Sequence, residues 1–448
     1  MCGLVGFIDT RGERKPDREL LGRMTDKLVH RGPDSAGFFV DYYAALGFRR
    51  LSIIDLESGD QPIYNEDGSV VLLCNGEIFN YVELKKSLVQ KGHHFRTRSD
   101  VEVLLHLYEE HGVDFLDKIN GQFAFVIYDR KNRRLFLARD HFGINPLYYT
   151  IVDGLFIFAS EIKAILEHPQ VPREVDLTGL DQILSFPGLV SPRTMFKGIQ
   201  SLKSGHYIVV ENGAVSVREY WDLDYPPLGA NTAARSESDY VEELKELLTR
   251  SVSYRLQSDV PVGFYLSGGL DSSLIGALIN HVAPNTRRHS FSIGFTDTDI
   301  SETKHQRLMA EFTHSIHNEI IFDWSEIVKR LSQMIYHCEC PVRESYNTCS
   351  MALSAAAQNA GVKVVLTGEG ADELFAGYVG YRFDSFRDRE SKSYDLETAL
   401  EDEMREKLWG DKDLFYEKDH LALREVKQTM YSARVNELYR EFDCLNHG

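Results

Sequence analysis

Six cysteines among 448 residues are too few and too scattered for a disulfide framework, so Cys2, Cys74, Cys338, Cys340, Cys349 and Cys444 point to a reducing compartment. Long apolar runs are missing too: none approaches the ~20 residues that a membrane helix needs. The N-terminus has no basic segment ahead of an apolar one, which argues against a signal peptide and for the cytoplasm. Positive charge is short. Against 68 Asp and Glu stand 50 Lys and Arg, a net charge of −18. This excludes a broad nucleic-acid surface, which needs clustered cations. It leaves anionic small molecules open, because backbone amides, single Arg or Lys side chains and metal ions hold those locally. A zinc-like cysteine cluster is incomplete. His337-Cys338-Glu339-Cys340, with Cys349 nearby, lacks a second pair, so these residues read as packing.

What is present is an ordinary globular mixture, 43% hydrophobic and 26% charged, long enough at ~150 residues per domain for two or three domains. Two halves differ in texture. Residues 1–222 carry short apolar runs bounded by Gly, Asn and Asp, such as Val70–Cys74, Phe123–Tyr128 and Arg134–Ala138. Helices are expected over Tyr81–Gln90 and Ser99–Glu110, the second opening on a Ser99…Glu102 capping box. Strand clusters with few helices indicate antiparallel sheets covered by helices. Residues 223–238, rich in Pro, Gly and small polar residues, read as a linker. In 239–448 helices and strands alternate: a helix Asp239–Leu256, a strand Val260–Leu266, a helix Ser272–His281, and strands His289–Phe295 and Val362–Leu366. Continuous apolar strands between helices imply a parallel sheet covered on both faces.

The chain opens Met1-Cys2-Gly3-Leu4-Val5-Gly6. If Met1 is removed, Cys2 carries a thiol and an α-amine together. The thiolate is a strong nucleophile, and an α-amine with a pKa near ~7.7–8.0 can act as its base. The competing reading is a chance cysteine at the start of a buried strand.

The most specific motif is Ser267-Gly268-Gly269-Leu270-Asp271-Ser272-Ser273, between an expected strand and helix. Adjacent glycines and a helix N-terminus suit a phosphate, the serines can donate to it, and Asp271 suits Mg²⁺. The lysine of a Walker loop is absent. The motif matches the pyrophosphate loop of ATP pyrophosphatases, which split ATP into AMP and pyrophosphate. A second cluster, Thr367-Gly368-Glu369-Gly370-Ala371-Asp372-Glu373, again follows an apolar strand, and three carboxylates among glycines make a poor core. Asp372 would be a second metal ligand, and Glu369 would serve the acceptor or a proton transfer.

Taken together, Cys2 and these clusters make the chain resemble glutamine-dependent asparagine synthetases over essentially its whole length. Arg31-Gly32-Pro33-Asp34, Arg50-Leu51-Ser52-Ile53-Ile54-Asp55, Asn75-Gly76-Glu77, Ser99-Asp100 and Arg139-Asp140-His141 carry the likeness in the first half. The resemblance implies an N-terminal αββα sandwich with a class II glutamine amidotransferase site, and a C-terminal synthetase domain with a parallel sheet. It implies that Cys2 attacks the glutamine amide and that Asn75 and the Gly76 amide form the oxyanion hole. Arg50 would bind the α-carboxylate, Glu77 and Asp100 the α-ammonium, and the backbone of Leu51, Ser52, Ile53 and Ile54 would complete the pocket. ATP would contact Leu266, Ser267, Gly268, Gly269, Asp271, Ser272, Ile293, Thr367 and Gly368. Asp271 and Asp372 would hold Mg²⁺, Glu369 would help form the adenylate, ammonia would cross a protein-lined tunnel, and the protein would be a homodimer. Substrates would be glutamine, ATP and aspartate or a related carboxylate.

Two departures stand out. Asn145 occupies a place where the family usually has Lys or Arg, near the interface of the two halves. The family also continues past a segment like Cys444-Leu445 and carries there a lysine for adenylation, which has no assigned counterpart here, so a missing C-terminal part is expected. The charged stretch from about Arg387 to Lys427 is less like the family. Two other readings follow: the same chemistry on a different acceptor, or a glutaminase joined to a module that no longer adenylates. Retained Cys2 argues against the ring-closing relatives, which lose it.

Overall fold

The computed structural model describes residues 1–186, 188–225, 227, 235–296, 301–342, 344–378, 403, 406–407 and 420–445. In the first half the strands are β1 (Gly3–Asp9), β2 (Ser35–Val40), β3 (Ala44–Arg50), β4 (Ile63–Tyr64), β5 (Val70–Ile78) and β6 (Gly121–Asp129). They continue with β7 (Arg134–Arg139), β8 (Tyr148–Val152), β9 (Leu155–Ala159), β10 (Ile199–Ser201), β11 (His206–Glu211) and β12 (Ala214–Glu219). Two six-stranded sheets result, ordered β10-β8-β9-β1-β3-β2 and β12-β11-β7-β6-β5-β4. The pairings within them are antiparallel.

Side-chain alternation explains why the sheets stack. On β6, Ala124, Val126 and Tyr128 face the other sheet, while Phe123, Phe125 and Ile127 face outward. Both faces of each sheet are therefore apolar, and each needs a cover. Helices α1 (Arg18–Asp26), α2 (Tyr81–Gln90) and α3 (Val103–His111) supply it, with α4 (Ile162–Ile165) and α5 (Leu177–Ser185) later in the chain. Leu20, Leu21 and Met24 of α1 close one outer face; Leu88 of α2 and Val103, Leu104 and Leu107 of α3 close the other. The layers run helix, sheet, sheet, helix, the expected αββα sandwich.

The second half builds a four-stranded parallel sheet, β15-β14-β13-β16. Its strands are β13 (Val262–Tyr265), β14 (His289–Phe295), β15 (Ile316–Phe322) and β16 (Val364–Leu366). The helices are α6 (Glu237–Arg255), α7 (Leu270–Val282), α8 (Thr303–Phe312), α9 (Trp324–Cys338), α10 (Asn347–Asn359) and α11 (Ala371–Phe375), followed by His420–Met430, Ala433–Glu437 and Tyr439–Phe442. Val262 and Phe264 pack with Leu278 and Ile279 of α7 and Ala310 of α8 on one face, and Phe291 meets Ala357 of α10 on the other. Among the described residues no helix is long and apolar enough to cross a membrane.

Several boundaries differ from expectation. The Ser99…Glu102 capping box does not form. Ser99 bonds Asp100, and Glu102 instead accepts from the amides of Arg96 and Thr97, so a short 3₁₀ turn over Asp100–Glu102 precedes α3. A real capping box opens α6, where Ser236 and Asp239 exchange bonds, placing its start inside the last residues expected for the linker. Strands β13 and β16 are shorter than their apolar runs, because Val260 and Val362 lie outside the paired ladder. Within 223–238, residues 226 and 228–234 lie outside the described residues, as does most of the charged stretch 387–427.

Candidate active site

The parity of two strands brings the first site together. Cys2 has the phase of Leu4 on β1, and Asn75 and Glu77 have that of Val71 and Leu73 on β5. All of these point between the sheets, where Cys2 packs against the inter-sheet core. Gly76 sits inside β5 opposite Phe123, not in a turn. A Cβ there would lie 2.3 Å from the Gln122 carbonyl oxygen, so only glycine lets the strands close.

The Cys2 Sγ lies 3.3 Å from the Leu51 N–H and 3.6 Å from its carbonyl oxygen, and Arg31 Nε donates to the Cys2 carbonyl at 2.8 Å. Burial pushes the thiol pKa up, and the N-terminal amine, the Leu51 amide, Arg50 and Arg31 oppose this. The Met1 side chain is exposed, but its amine is set among Cys2, Arg31, Glu77 and Asp34, and burial lowers its pKa. Arg50 is buried. Its Nη2 donates to the carbonyls of Ile54 and Asp55 at 3.1 and 2.5 Å, and its Nη1 to Asp60 at 3.0 Å. Those bonds shape the loop 51–55 around the guanidinium. Burial, then the neighbouring Asp100, raises Glu77 to about 7; burial raises Asp100 to about 6 against a bond from the Ile78 amide. Two carboxyl groups held at such values form a site for a cation.

A single cavity of about 1400 Å³ contains this region and extends into the second half. All the expected glutamine-side residues line it except Ser52. Ser52 donates its amide to Asp34 and accepts from Lys363 through its carbonyl. The cavity also touches Met334, Met351, Val364 and Thr367 of the second half.

The nucleotide-side residues gather in the loops that follow β13 and β16, with Ile293 inside the neighbouring strand β14. Gly268 adopts φ +90°, a left-handed backbone that glycine tolerates, and the turn delivers Gly269 as the N-cap of α7 without a side-chain cap. The first amides of that helix stay open for an acceptor. Ser272 Oγ bonds Ser267 Oγ at 2.8 Å and accepts from the Ser267 amide, which fixes the loop. Gln306 Nε2 bridges the carbonyls of Ser267 and Ile293 at 3.1 and 2.9 Å. The Leu266 amide donates to Phe291. Gly368 packs on Asp271, where a Cβ would lie 3.0 Å from the Asp271 Cβ. Asp372 stands in the first turn of α11 against Gly377, and Glu369 is exposed with its amide on Thr367 Oγ1. Thr367 is thus the nucleotide-side residue that reaches the cavity; the rest lie beyond it.

Sequence reasoning missed several participants. Asn145, noted only as a departure, is buried and accepts a bond from Asn75 Nδ2 at 3.2 Å, so it orients the carboxamide beside Cys2. Asp259 and Lys363 tie the halves: the Asp55 amide donates to Asp259 at 2.7 Å, the Asp259 amide to Ile53 at 3.0 Å, and Lys363 to Asp34 at 2.6 Å. Glu339, between the two cysteines, caps the amides of Ile162 and Lys163 across the same junction. Among the described residues, Cys338, Cys340 and Cys349 do not gather with His337 into a ligand set. Nothing in the periodicity of one sequence marks such cross-half contacts.

A glutamine amidotransferase domain model matches residues 1–221, and an asparagine synthase model matches residues 243–442. The chain belongs to the glutamine-hydrolysing asparagine synthetase family. Asparagine synthetase [glutamine-hydrolyzing] 1 of Bacillus subtilis is 36% identical over 387 residues, 85% of this chain and 60% of that protein. Synthetase 2 of the same organism is 36% identical over 395 residues, covering 84% of this chain and 52% of its own. Amidase chry2 of Gibberella zeae is 33% identical over 412 residues, 86% of this chain and 60% of its own. This member of the synthetase family thus spans about half to three-fifths of the length of these relatives.

Proposed function

We propose that this chain takes ammonia from glutamine at Cys2 and joins it to an adenylated carboxylate, aspartate being the best candidate, with release of glutamate, AMP and pyrophosphate. The observation that carries the reading is the cavity of about 1400 Å³ that runs from Cys2 and Asn75 to Thr367. It brings the residues around Cys2 and the start of the Thr367 loop to one shared space, the juxtaposition that a transfer of ammonia between the two sites needs.

Cys2, with Met1 removed, attacks the side-chain amide, and its own α-amine takes the thiol proton and passes it to the leaving ammonia. Asn75, oriented by Asn145, and the Gly76 amide receive the oxyanion. Arg50 takes the substrate α-carboxylate, and Glu77 and Asp100 take the α-ammonium, with Leu51 to Ile54 lining the pocket. In the second half the Ser267–Ser272 loop and the α7 N-terminus receive the pyrophosphate of ATP, while Leu266, Ile293, Thr367 and Gly368 surround the nucleoside. Asp271 and Asp372 are the residues that would hold a hard divalent cation: each is a carboxylate in a helix first turn, with Gly368 packed on Asp271 and Gly377 on Asp372. Mg²⁺ bound by them would neutralise phosphate charge. Glu369, exposed after β16, would meet the acceptor. Six free thiols support a reducing, cytoplasmic setting.

A second reading keeps the chemistry and changes the acceptor. The likeness to Amidase chry2 favours it. One assay separates the readings: supply glutamine, Mg-ATP and a panel of carboxylates, and follow glutamate and pyrophosphate. Aspartate-dependent pyrophosphate supports the first, and release with another acid only supports the second. Glutamate without pyrophosphate under every condition sinks both.

A further inference from the structure

Away from the cavity, four side chains from three segments converge. Glu66 comes from the turn between β4 and β5, His93 from the loop after α2, and His106 and Glu109 from one face of α3. None of them lines the cavity around Cys2. His93 Nδ1 lies 3.6 Å from Glu66 Oε1 and 3.7 Å from Glu109 Oε2. His106 Nδ1 lies 3.8 and 3.1 Å from the same two oxygens. All four atoms fall within 4.8 Å of one another. A tetrahedral zinc ion with bonds near 2.0–2.2 Å requires ligand atoms about 3.3–3.6 Å apart. Four of the six edges are close to that before any ion draws them in.

The outer atoms fit as well. Each imidazole turns Nδ1 inward and Nε2 toward a carboxylate: His93 Nε2 is 3.1 Å from Glu110 Oε1, and His106 Nε2 is 3.8 Å from the buried Glu102. Asn65 Nδ2 holds the other oxygen of Glu109 at 2.7 Å. Metal-bound histidines commonly pass their second N–H to a carboxylate, as His93 does to Glu110. His106 is buried, and its Nε2 has no hydrogen-bond partner. An ordinary ion-pair cluster is the competing account. It explains less well why two imidazole rings 4.7 Å apart present the same nitrogen to the same two oxygens. Four carboxylates, Glu66, Glu102, Glu109 and Glu110, outnumber Lys91, which pairs Glu110, and Arg96, which donates to the Glu66 carbonyl, and this leaves charge for a dication.

We propose that Glu66, His93, His106 and Glu109 form a closed, tetrahedral N₂O₂ site for a zinc-type divalent ion. With four protein ligands the site has no open position, so it is structural: it clips the β4–β5 turn and the loop after α2 to α3.

The test uses the full chain, stripped with a chelator and titrated with Co²⁺ and then Zn²⁺. One equivalent of cobalt giving the visible bands of a tetrahedral site, without thiolate charge transfer and displaced by zinc, is the expected result. His93→Ala should abolish the signal, and Glu110→Gln, outside the ligand set, should weaken binding about 10–100-fold. Glu110→Gln also keeps the test decisive if His93→Ala does not fold. Thiolate charge transfer, no stoichiometric binding, or unchanged affinity in Glu110→Gln overturns the assignment.

Discussion

The glutamine side and the nucleotide side are built in opposite ways. The first is made of side chains on paired strands and on the 3₁₀ turn beside them, almost wholly buried: Asn75 on β5 is 1% exposed, Asp100 on the turn 4% and Arg50 on β3 5%. The second is made of loops at the ends of parallel strands, with Glu369 and Ser267 exposed. Buried strands fix charges and shift their protonation. Loops offer backbone amides and wait for the ligand to complete them. If the two sites are also separate in function, paired substitutions should part them. Cys2→Ala removes the nucleophile and should cut glutamine-dependent turnover at least ~10³-fold while ammonia-dependent synthesis persists. Asp271→Ala should do the reverse, leaving glutamate release and removing pyrophosphate release. Loss of both activities in either variant, with folding intact by circular dichroism, would break the comparison.

A smaller cut tests the rigid side alone. Asn75→Ala removes one oxyanion donor and should lower kcat for glutamine hydrolysis ~10²–10³-fold with little change in KM. Asn145→Ala leaves that donor in place and frees its orientation, so a milder loss in kcat is expected. Equal KM effects in both variants would assign Asn75 to ground-state binding.

Protonation gives a third contrast, confined to the buried side. Burial is the chief cause that pushes the Glu77 carboxyl up to about 7 and that of Asp100 up to about 6. A raised carboxyl holds its proton longer, so the site lacks its full negative charge below these values. Binding of an α-ammonium requires the ionised forms. KM for glutamine should therefore fall as pH rises from 5 to 7, by up to roughly tenfold per pH unit for each carboxyl while the pH is still below its own value, about 6 for Asp100 and about 7 for Glu77. Glu77→Gln should raise KM overall and remove the inflection near 7. Steady-state kinetics across that range, with ammonia-dependent synthesis as control, checks it. A profile for Glu77→Gln that keeps the upper inflection would reassign it.

Much of this was legible in the residues. Short apolar runs bounded by Gly, Asn and Asp marked β5 and β6, and apolar runs between helices marked the parallel sheet. The Ser267–Ser273 loop was placed between strand and helix by its glycines. What stayed hidden was tertiary. The Ser99…Glu102 pattern matched a capping box, yet Glu102 spends its carboxylate on the 96–97 loop beside His106. Gln306 lies within α8 with no local signal, and only the packed sheet shows that its amide joins the Ser267 loop to β14 at Ile293. Asn145 looked like a change at an interface; its partner, Asn75, is 70 residues away. A local pattern predicts local bonds, and these bonds are not local.

The smallest expected effect bears on whether the two sides are independent at all. Asp259 and Lys363 lie just before β13 and β16, and both reach the glutamine side, at Ile53, Asp55, Asp34 and Ser52. The same two strands, paired with each other, end in the Ser267 and Thr367 loops. On the proposed reading, a shift of those loops on ATP binding would have two short strands and these contacts through which to reach the residues beside Cys2. The Lys363–Asp34 pair is about one-third exposed on each side, so its loss should cost no more than ~1 kcal/mol, about fivefold in KM for glutamine. The informative quantity is a ratio. In the parent protein, ATP should change KM for glutamine; in Lys363→Ala that change should shrink, with ammonia-dependent synthesis unaltered. If ATP moves KM equally in both, the contact is only an adhesive, and the buried side and the loop side work independently.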